Sequence, residues 1–274
     1  MIKIATIARN PIDSPNMTAN DAAILERVTT LLKEQGADVV NIGQGEEIPH
    51  DAQVVCTMSR TANTIEQLKR AEEHGIIVMN STTAVENCSR KRFMEILRCN
   101  GIPQPAYSIV DSTAVPSNAC HPCWIKKADG WSNHKDDVCY AQSEAEARCA
   151  IGKMAQRGVK ECIIMQHCPG DIVKFYGIAD RLFHYTYPEG GKFGHEEING
   201  APRHYAFDAA ALEAIAQRTA QAIGLEIYGG DAIITPQGDI FIIDINDFPS
   251  FTAVREAAAA EIAQLIISKT EQTE

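Results

Sequence analysis

The sequence predicts a mixed α/β protein built of lobes, and three observations carry that expectation. Short apolar runs alternate with helical patterns through the first hundred or so residues, the signature of a parallel sheet covered by helices. Beyond about residue 104 the pattern changes to pairs of strands separated by long helices, as antiparallel sheets allow. The composition, 45% hydrophobic and 22% charged over 274 residues, is that of an ordinary globular chain with material for a substantial core.

The elements follow in order. An apolar strand is expected over 2–8, a helix over 21–35, strands over 38–42 and 52–57, and a helix over 64–74. "GIIVMN" then reads as a short strand. Phe93, Ile96 and Leu97 recur at helical spacing until Gly101 and Pro103 stop the helix. Strands at 122–127 and 137–141 adjoin the polar loop "ADGWSNHKDD", and a helix covers 143–157. "ECIIMQH", "DIVKFYGIAD" and "RLFHYTYP" are three more strands, the last two a hairpin. After a polar loop at 188–202 come a helix over 208–223, strands over 225–235 and 239–245 joined by "PQGD", and an alanine-rich helix over 253–268. The helix stop at Gly101 and Pro103 reads as a lobe boundary.

Charge and cysteine usage narrow the function classes. A net charge of −11 argues against broad electrostatic binding to nucleic acid or to anionic membranes. No run reaches spanning length and none has the form of a secretory leader, so a cytoplasmic location is expected, with the nine cysteines reduced. "CHPC" at 120–123 lacks a second pair at zinc-like spacing and reads as structural thiols. The expected partner is a small-molecule acceptor, anionic or carboxylate-bearing. Apolar residues on the terminal helix leave open packing within the chain or against a second subunit.

The chemistry concentrates in "GDIFIIDINDFPSF", residues 238–251. A carboxylate inside so apolar a run costs several kcal/mol unless a cation compensates it. Asp244 and Asn246 share one strand face, and Asp231 stands on the preceding strand. Oxygen ligands gathered this way suit Mg²⁺, which completes its shell with water and nucleotide phosphates. The alternative is that Asp244 caps a loop and Asp247 starts the turn ahead of Pro249. Lys126 and Lys127 close one apolar run and Lys174 lies within another. Three such lysines beside a glycine loop fit phosphate anions better than solvent.

The order of these pieces resembles the ATP-grasp superfamily: the helix "SRKRFMEILRCNGIPQP", a strand ending in lysine, a glycine-containing loop, a strand ending near Gln166, and a terminal aspartate followed by "DIN". The resemblance implies ATP as cofactor with Mg²⁺, and it implies an N-terminal α/β lobe, 1–78, ahead of a nucleotide-binding domain, 79–274, made of a small central lobe at about 104–168 and a C-terminal lobe at about 169–274. It places Arg90 or Lys91 near the nucleotide, Lys126 on its phosphates, and Gln166, His167 and Cys168 at the adenine hinge. Asp171 joins the nucleotide site, and Asp231, Asp244 and Asn246 hold magnesium. Within the superfamily "ADGWSNHK", "VKFYGIAD" and "IDINDFPSF" are similar to segments of the inositol 1,3,4-trisphosphate 5/6-kinases. That likeness makes a kinase the main expectation, with Lys174, His134 and Arg60 on the acceptor, Ser250 near it, and Arg9 a further N-terminal cation. The alternative is a carboxylate–amine ligase resembling glutathione synthetases and ribosomal-protein glutamate ligases, with Arg203 or Lys192 on the acceptor carboxylate. A non-catalytic nucleotide-binding protein is the third reading.

Overall fold

The computed structural model describes residues 1–14, 16–113, 121–130, 134–188 and 198–271. The N-terminal sheet is parallel, in the order β2-β1-β3-β4, from β1 (Lys3–Ile7), β2 (Asp38–Ile42), β3 (Val54–Thr57) and β4 (Ile77–Met79). Its two faces are covered by different helices, which is why β1 and β3 read as unbroken apolar runs. Helix α1 (Thr18–Glu34) buries Ile24, Val28 and Leu32 against Ile4 and Val54. Helix α2 (Ala62–Glu73) buries Ile65 and Leu68 against Ala5 and Val55, and starts where the Thr61 side chain accepts from the Thr64 N–H.

Two helices lead out of this lobe, α3 (Thr82–Asn87), capped by Ser81, and α4 (Arg90–Cys99). The central sheet is antiparallel, order β5-β8-β6-β7, from β5 (Tyr107–Asp111), β6 (Cys123–Lys127), β7 (Val138–Ala141) and β8 (Glu161–Gln166), with α5 (Glu144–Gln156) over one face. Strand β5 has no counterpart in the sequence reading. It is an edge strand paired only with β8 and only partly buried, so its apolar alternation is weak.

The C-terminal sheet is antiparallel, order β10-β9-β11-β12, from β9 (Asp171–Ile178), β10 (Leu182–Thr186), β11 (Ile227–Ile234) and β12 (Ile240–Asp247), with α6 (Ala209–Ile223) and α7 (Arg255–Glu271). One face packs Phe175 and Tyr228 against Phe93 of α4, Ile223 of α6 and Trp124 of the central sheet. The other packs Tyr176, Ile178 and Phe248 against a core that includes Ile24 and Val28 of α1 and Ile262 and Ile266 of α7. The terminal helix therefore buries its apolar side within the chain. Asn80 ties the lobes by hydrogen bonds: its Nδ2 donates to the Ile227 carbonyl at 2.7 Å, and its Oδ1 accepts from Glu226 and Ile227 N–H, each at 2.9 Å.

The described cysteines are all free, while Cys120 of the "CHPC" stretch lies outside the described residues. Among the described residues no helix is long and apolar enough to cross a membrane.

Candidate active site

A cavity of about 780 Å³ is lined by strands of the central and C-terminal sheets and by the segments that follow β1 and β3 of the N-terminal sheet. One wall is a row of charges fixed by strand register. Lys174 on β9 stands opposite Asp231 on β11, and Asp231 stands opposite Asp244 on β12. The Lys174 Nζ lies 2.8 Å from Asp231 Oδ1, and the Asn246 amide donates to Asp244 Oδ2 at 3.1 Å. Glycine makes this approach possible, since a Cβ on Gly230 would collide with the Asp244 backbone carbonyl. The register slips between Asp231 and Ala232, leaving Ile243 as the extra residue of a bulge. That bulge lets Ile243 and Asp244, neighbours in sequence, both line the cavity.

Beside the row, Lys126 at the end of β6 is only 4% exposed. Burial and the neighbouring Arg90 push its ammonium down to about 8, against the pull of Asp244 and Asp231. Arg90 lines the same wall and is held by its Nη1, which donates to the Lys127 carbonyl at 2.8 Å. This end of the cavity thus presents Arg90, Lys126 and Lys174, three cations, against two carboxylates, Asp231 and Asp244. Oxygen donors from Asp231, Asp244 and Asn246 share one sheet face, and the described residues offer no group of three or more His, Cys, Asp or Glu side chains arranged to hold a metal ion. Two carboxylates and an amide suit a hard divalent cation that takes its remaining ligands from water and phosphate.

The opposite end is drier and differently charged. The carboxylate buried in the apolar run is Asp247, not Asp244: Asp247 is 1% exposed, and its compensating cations are arginines. Arg60 Nη2 lies 2.5 Å from Asp247 Oδ1, and Arg9 Nη1 lies 3.6 Å from Asp247 Oδ2. Arg9 also donates through Nη2 to the Phe248 carbonyl at 2.8 Å, and its Nε is 3.6 Å from Asp21 Oδ2. Burial and Arg60 bring the Arg9 guanidinium down to about 10; burial is the largest influence on Arg60 as well, but Asp247 together with Cys88 and Asp13 outweighs it and the value rises. Here two arginines face three carboxylates, Asp13, Asp21 and Asp247.

The structure brings together Arg60, Arg90, Lys126, Lys174, Asp231, Asp244 and Asn246, and Ser250 joins them. Several expectations are corrected. Arg60 lines the cavity, but its guanidinium is engaged by a buried carboxylate from the other lobe. Of the pair Arg90 and Lys91, Arg90 faces the cavity; Lys91 is one helical step round and pairs with Glu161 at 2.6 Å on the outside. His134 does not line the cavity: its Nδ1 accepts from the Asp136 N–H at 3.1 Å and caps the short 3-10 turn Lys135–Asp137. Asp171 is 4% exposed and accepts from the Arg203 N–H at 2.8 Å and the Tyr205 N–H at 2.9 Å, so it clamps a loop. Arg203 is exposed and away from the cavity lining, and Lys192 lies outside the described residues.

The expected hinge forms a small separate cavity, in which Gln166 and Cys168 stand beside Trp124, Met165 and Lys126. His167 is not among its lining residues; its Nδ1 accepts from the Trp124 indole N–H at 3.2 Å. Sequence reasoning missed the carboxylates of the far end. The signal was present in Asp21, a lone acid among the apolar positions of α1, and in Asp247, which ends an apolar strand.

No protein-family profile matches the chain, and no curated protein sequence matches it. Solved structures do. A D-alanine–D-alanine ligase from Bacillus anthracis, in complex with ATP, superposes with a TM-score of 0.73 at 12% identity over 100% of both chains. A RimK domain ATP-grasp protein from Sphaerobacter thermophilus gives 0.72 at 16% identity over 96% of this chain and 98% of that one. The VanG D-Ala:D-Ser ligase from Enterococcus faecalis gives 0.72 at 15% identity over 98% and 99%. The chain has the ATP-grasp fold.

Proposed function

We propose that this protein is an ATP- and Mg²⁺-dependent ligase that joins a carboxylate to an amine. The observation that carries this reading is the charge at the far end of the cavity. A polyphosphorylated acceptor needs a surplus of cations, each phosphate taking several charge-assisted hydrogen bonds. The far end has two arginines against three carboxylates, and both arginines already answer Asp247. That balance opposes the inositol phosphate kinase reading and suits a small acceptor carrying charges of both signs. Among the described residues, Arg9 Nη1, Asp13 Oδ2 and Asp21 Oδ2 are buried without a hydrogen-bond partner, one donor and two acceptors at the same end. The solved structures of the same fold described above, which include ligases for D-alanine and for D-alanine with D-serine, agree with this choice.

In this reading ATP supplies the phosphoryl group that activates the acceptor carboxylate, with Mg²⁺ held by Asp231, Asp244 and Asn246. Lys126 and Arg90 neutralise phosphate charge from their fixed positions, so that little reorganisation accompanies the reaction. Trp124, Met165, Gln166 and Cys168 take the adenine. Arg9 receives a carboxylate of the acceptor while Asp13 and Asp21 receive its ammonium. Ser250, buried and lining the same cavity, is assigned to the acceptor site in this reading.

The test is ATP turnover followed by ³¹P spectroscopy, with amino-acid pairs on one side and polyol phosphates on the other. Inorganic phosphate released only when an acid and an amine are both present supports the ligase. A stable phosphomonoester formed on a polyol sinks it and restores the kinase.

A further inference from the structure

The pairing of Lys174 with Asp231 has a consequence for metal binding, and it rests on the reading of Asp231 and Asp244 as magnesium ligands. A lysine in this position is otherwise hard to account for. Its strand neighbours Val173 and Phe175 are fully buried, and its own side chain is 25% exposed at the cavity wall, equal to that of Asp231. The ammonium occupies one oxygen of Asp231 at 2.8 Å, on the sheet face from which a divalent cation would be held. One unit charge on a flexible four-carbon stem therefore sits where a doubly charged ion draws on the same carboxylate.

We propose that Lys174 is a placeholder for the metal: its ammonium and a divalent cation compete for Asp231, and nucleotide phosphates shift the competition by drawing the ammonium off. Lys126 and Arg90 mark the direction of that movement, since they line the adjoining wall on which the phosphates rest in the proposed function. The protein without nucleotide then binds divalent cations weakly, because a cation has to displace an ion pair. With nucleotide present, Lys174 exchanges Asp231 for phosphate oxygens and both carboxylates become available. Coupling of this kind is reciprocal, so the metal tightens nucleotide binding by the factor by which nucleotide tightens metal binding. Metal and nucleotide enter together, and divalent cations alone leave the site closed.

The test uses Mn²⁺ as probe, with the free aquo ion followed by its electron paramagnetic resonance signal, on the full chain with and without a non-hydrolysable ATP analogue. The variant Lys174→Met is expected to bind Mn²⁺ about tenfold more tightly than the parent chain without nucleotide, one nearby positive charge having been removed from the carboxylate. The tightening caused by nucleotide is expected to shrink by the same factor. Lys174→Gln keeps a hydrogen-bond donor for Asp231 without the charge, and is expected to fall between the two; it also serves if the methionine variant folds poorly. Lys126→Met removes a charge from the same cavity without touching Asp231, and separates direct competition from a general change in field. Equal tightening in Lys126→Met and Lys174→Met overturns the proposal, as does unchanged Mn²⁺ affinity in both Lys174 variants. Asp244→Asn tells the two levels apart: if it binds Mn²⁺ as well as the parent chain, the metal assignment itself is wrong.

Discussion

Asp244 and Asp247 lie three residues apart on one strand, and they mark two ends of the cavity that solve the burial of charge in opposite ways. Asp244 stays half-buried, takes one hydrogen bond from Asn246, and faces a wall where cations are in excess. Asp247 is withdrawn from water and neutralised by two arginines from the other lobe. The first arrangement leaves a carboxylate available to a ligand. The second makes a carboxylate part of the frame, because a buried ion pair is tolerable only while both partners stay. Charge in a cavity therefore does not by itself mark a binding residue; what decides is whether the protein has already answered it.

The sharpest way to break the contrast is to remove the buried member. Asp247→Asn leaves Arg60 without its counter-charge and Arg9 with Asp21 alone in a dry site, and is expected to cost about 3–5 kcal/mol of stability, read as a fall in the denaturant midpoint. A midpoint within experimental error of the parent chain would show that the arginines find other partners. Next is Lys126, where burial has moved the ammonium from the ordinary 10.5 to about 8. Between those values the unfolded chain holds more protons than the folded one, so the strain from this lysine is complete below about pH 8 and relieved as pH rises towards 10.5. Lys126→Met is expected to stabilise the nucleotide-free protein by about 3 kcal/mol at pH 7, with the gain fading at alkaline pH, while ATP binding is lost. In the parent chain ATP affinity should decline as pH rises through about 8, which a fluorescence titration across that range checks.

Asp244→Asn touches the open end alone. Turnover should fall at least about 100-fold, or roughly 2.7 kcal/mol, while thermal unfolding stays where it was. A large loss of stability in this variant would make Asp244 a member of the frame after all. The smallest effect is expected at Lys91, paired with Glu161 on the surface: Lys91→Gln should leave ATP affinity unchanged, and Arg90→Gln should weaken it.

Much of this contrast was legible in the sequence, and the part that was not has physical reasons. Strand alternation put Asp244 and Asn246 on one face, and the change from alternating strands and helices to paired strands marked where the parallel sheet gives way to antiparallel ones. The burial of Asp247 could not be read, because the arginines that answer it come from the segments after β1 and β3, far away in the chain. Arg60 looked like a free cation since nothing nearby in sequence opposes it; its partner is 187 residues away. Lys91 and Arg90 are adjacent on a helix, and only packing tells which of two neighbours turns inward. His134 and Asp171 illustrate a different limit. Both are short polar side chains next to turns, where a backbone N–H competes with any ligand for the same acceptor.

The core shared by α1, α7 and the C-terminal sheet makes the first eighty or so residues inseparable from the last twenty. Ile24 and Val28 share a core with residues such as Ile262 and Ile266, and Asn80 makes two hydrogen bonds to the backbone of Ile227 in β11 and one to Glu226 just before it. An N-terminal lobe cut from this chain would expose that face and take Arg60 away from its buried carboxylate. Exchanging lobes with another protein of this fold therefore means transplanting α7 and the Asp247 turn along with it, so that specificity in this chain is inherited as an interface rather than as a module.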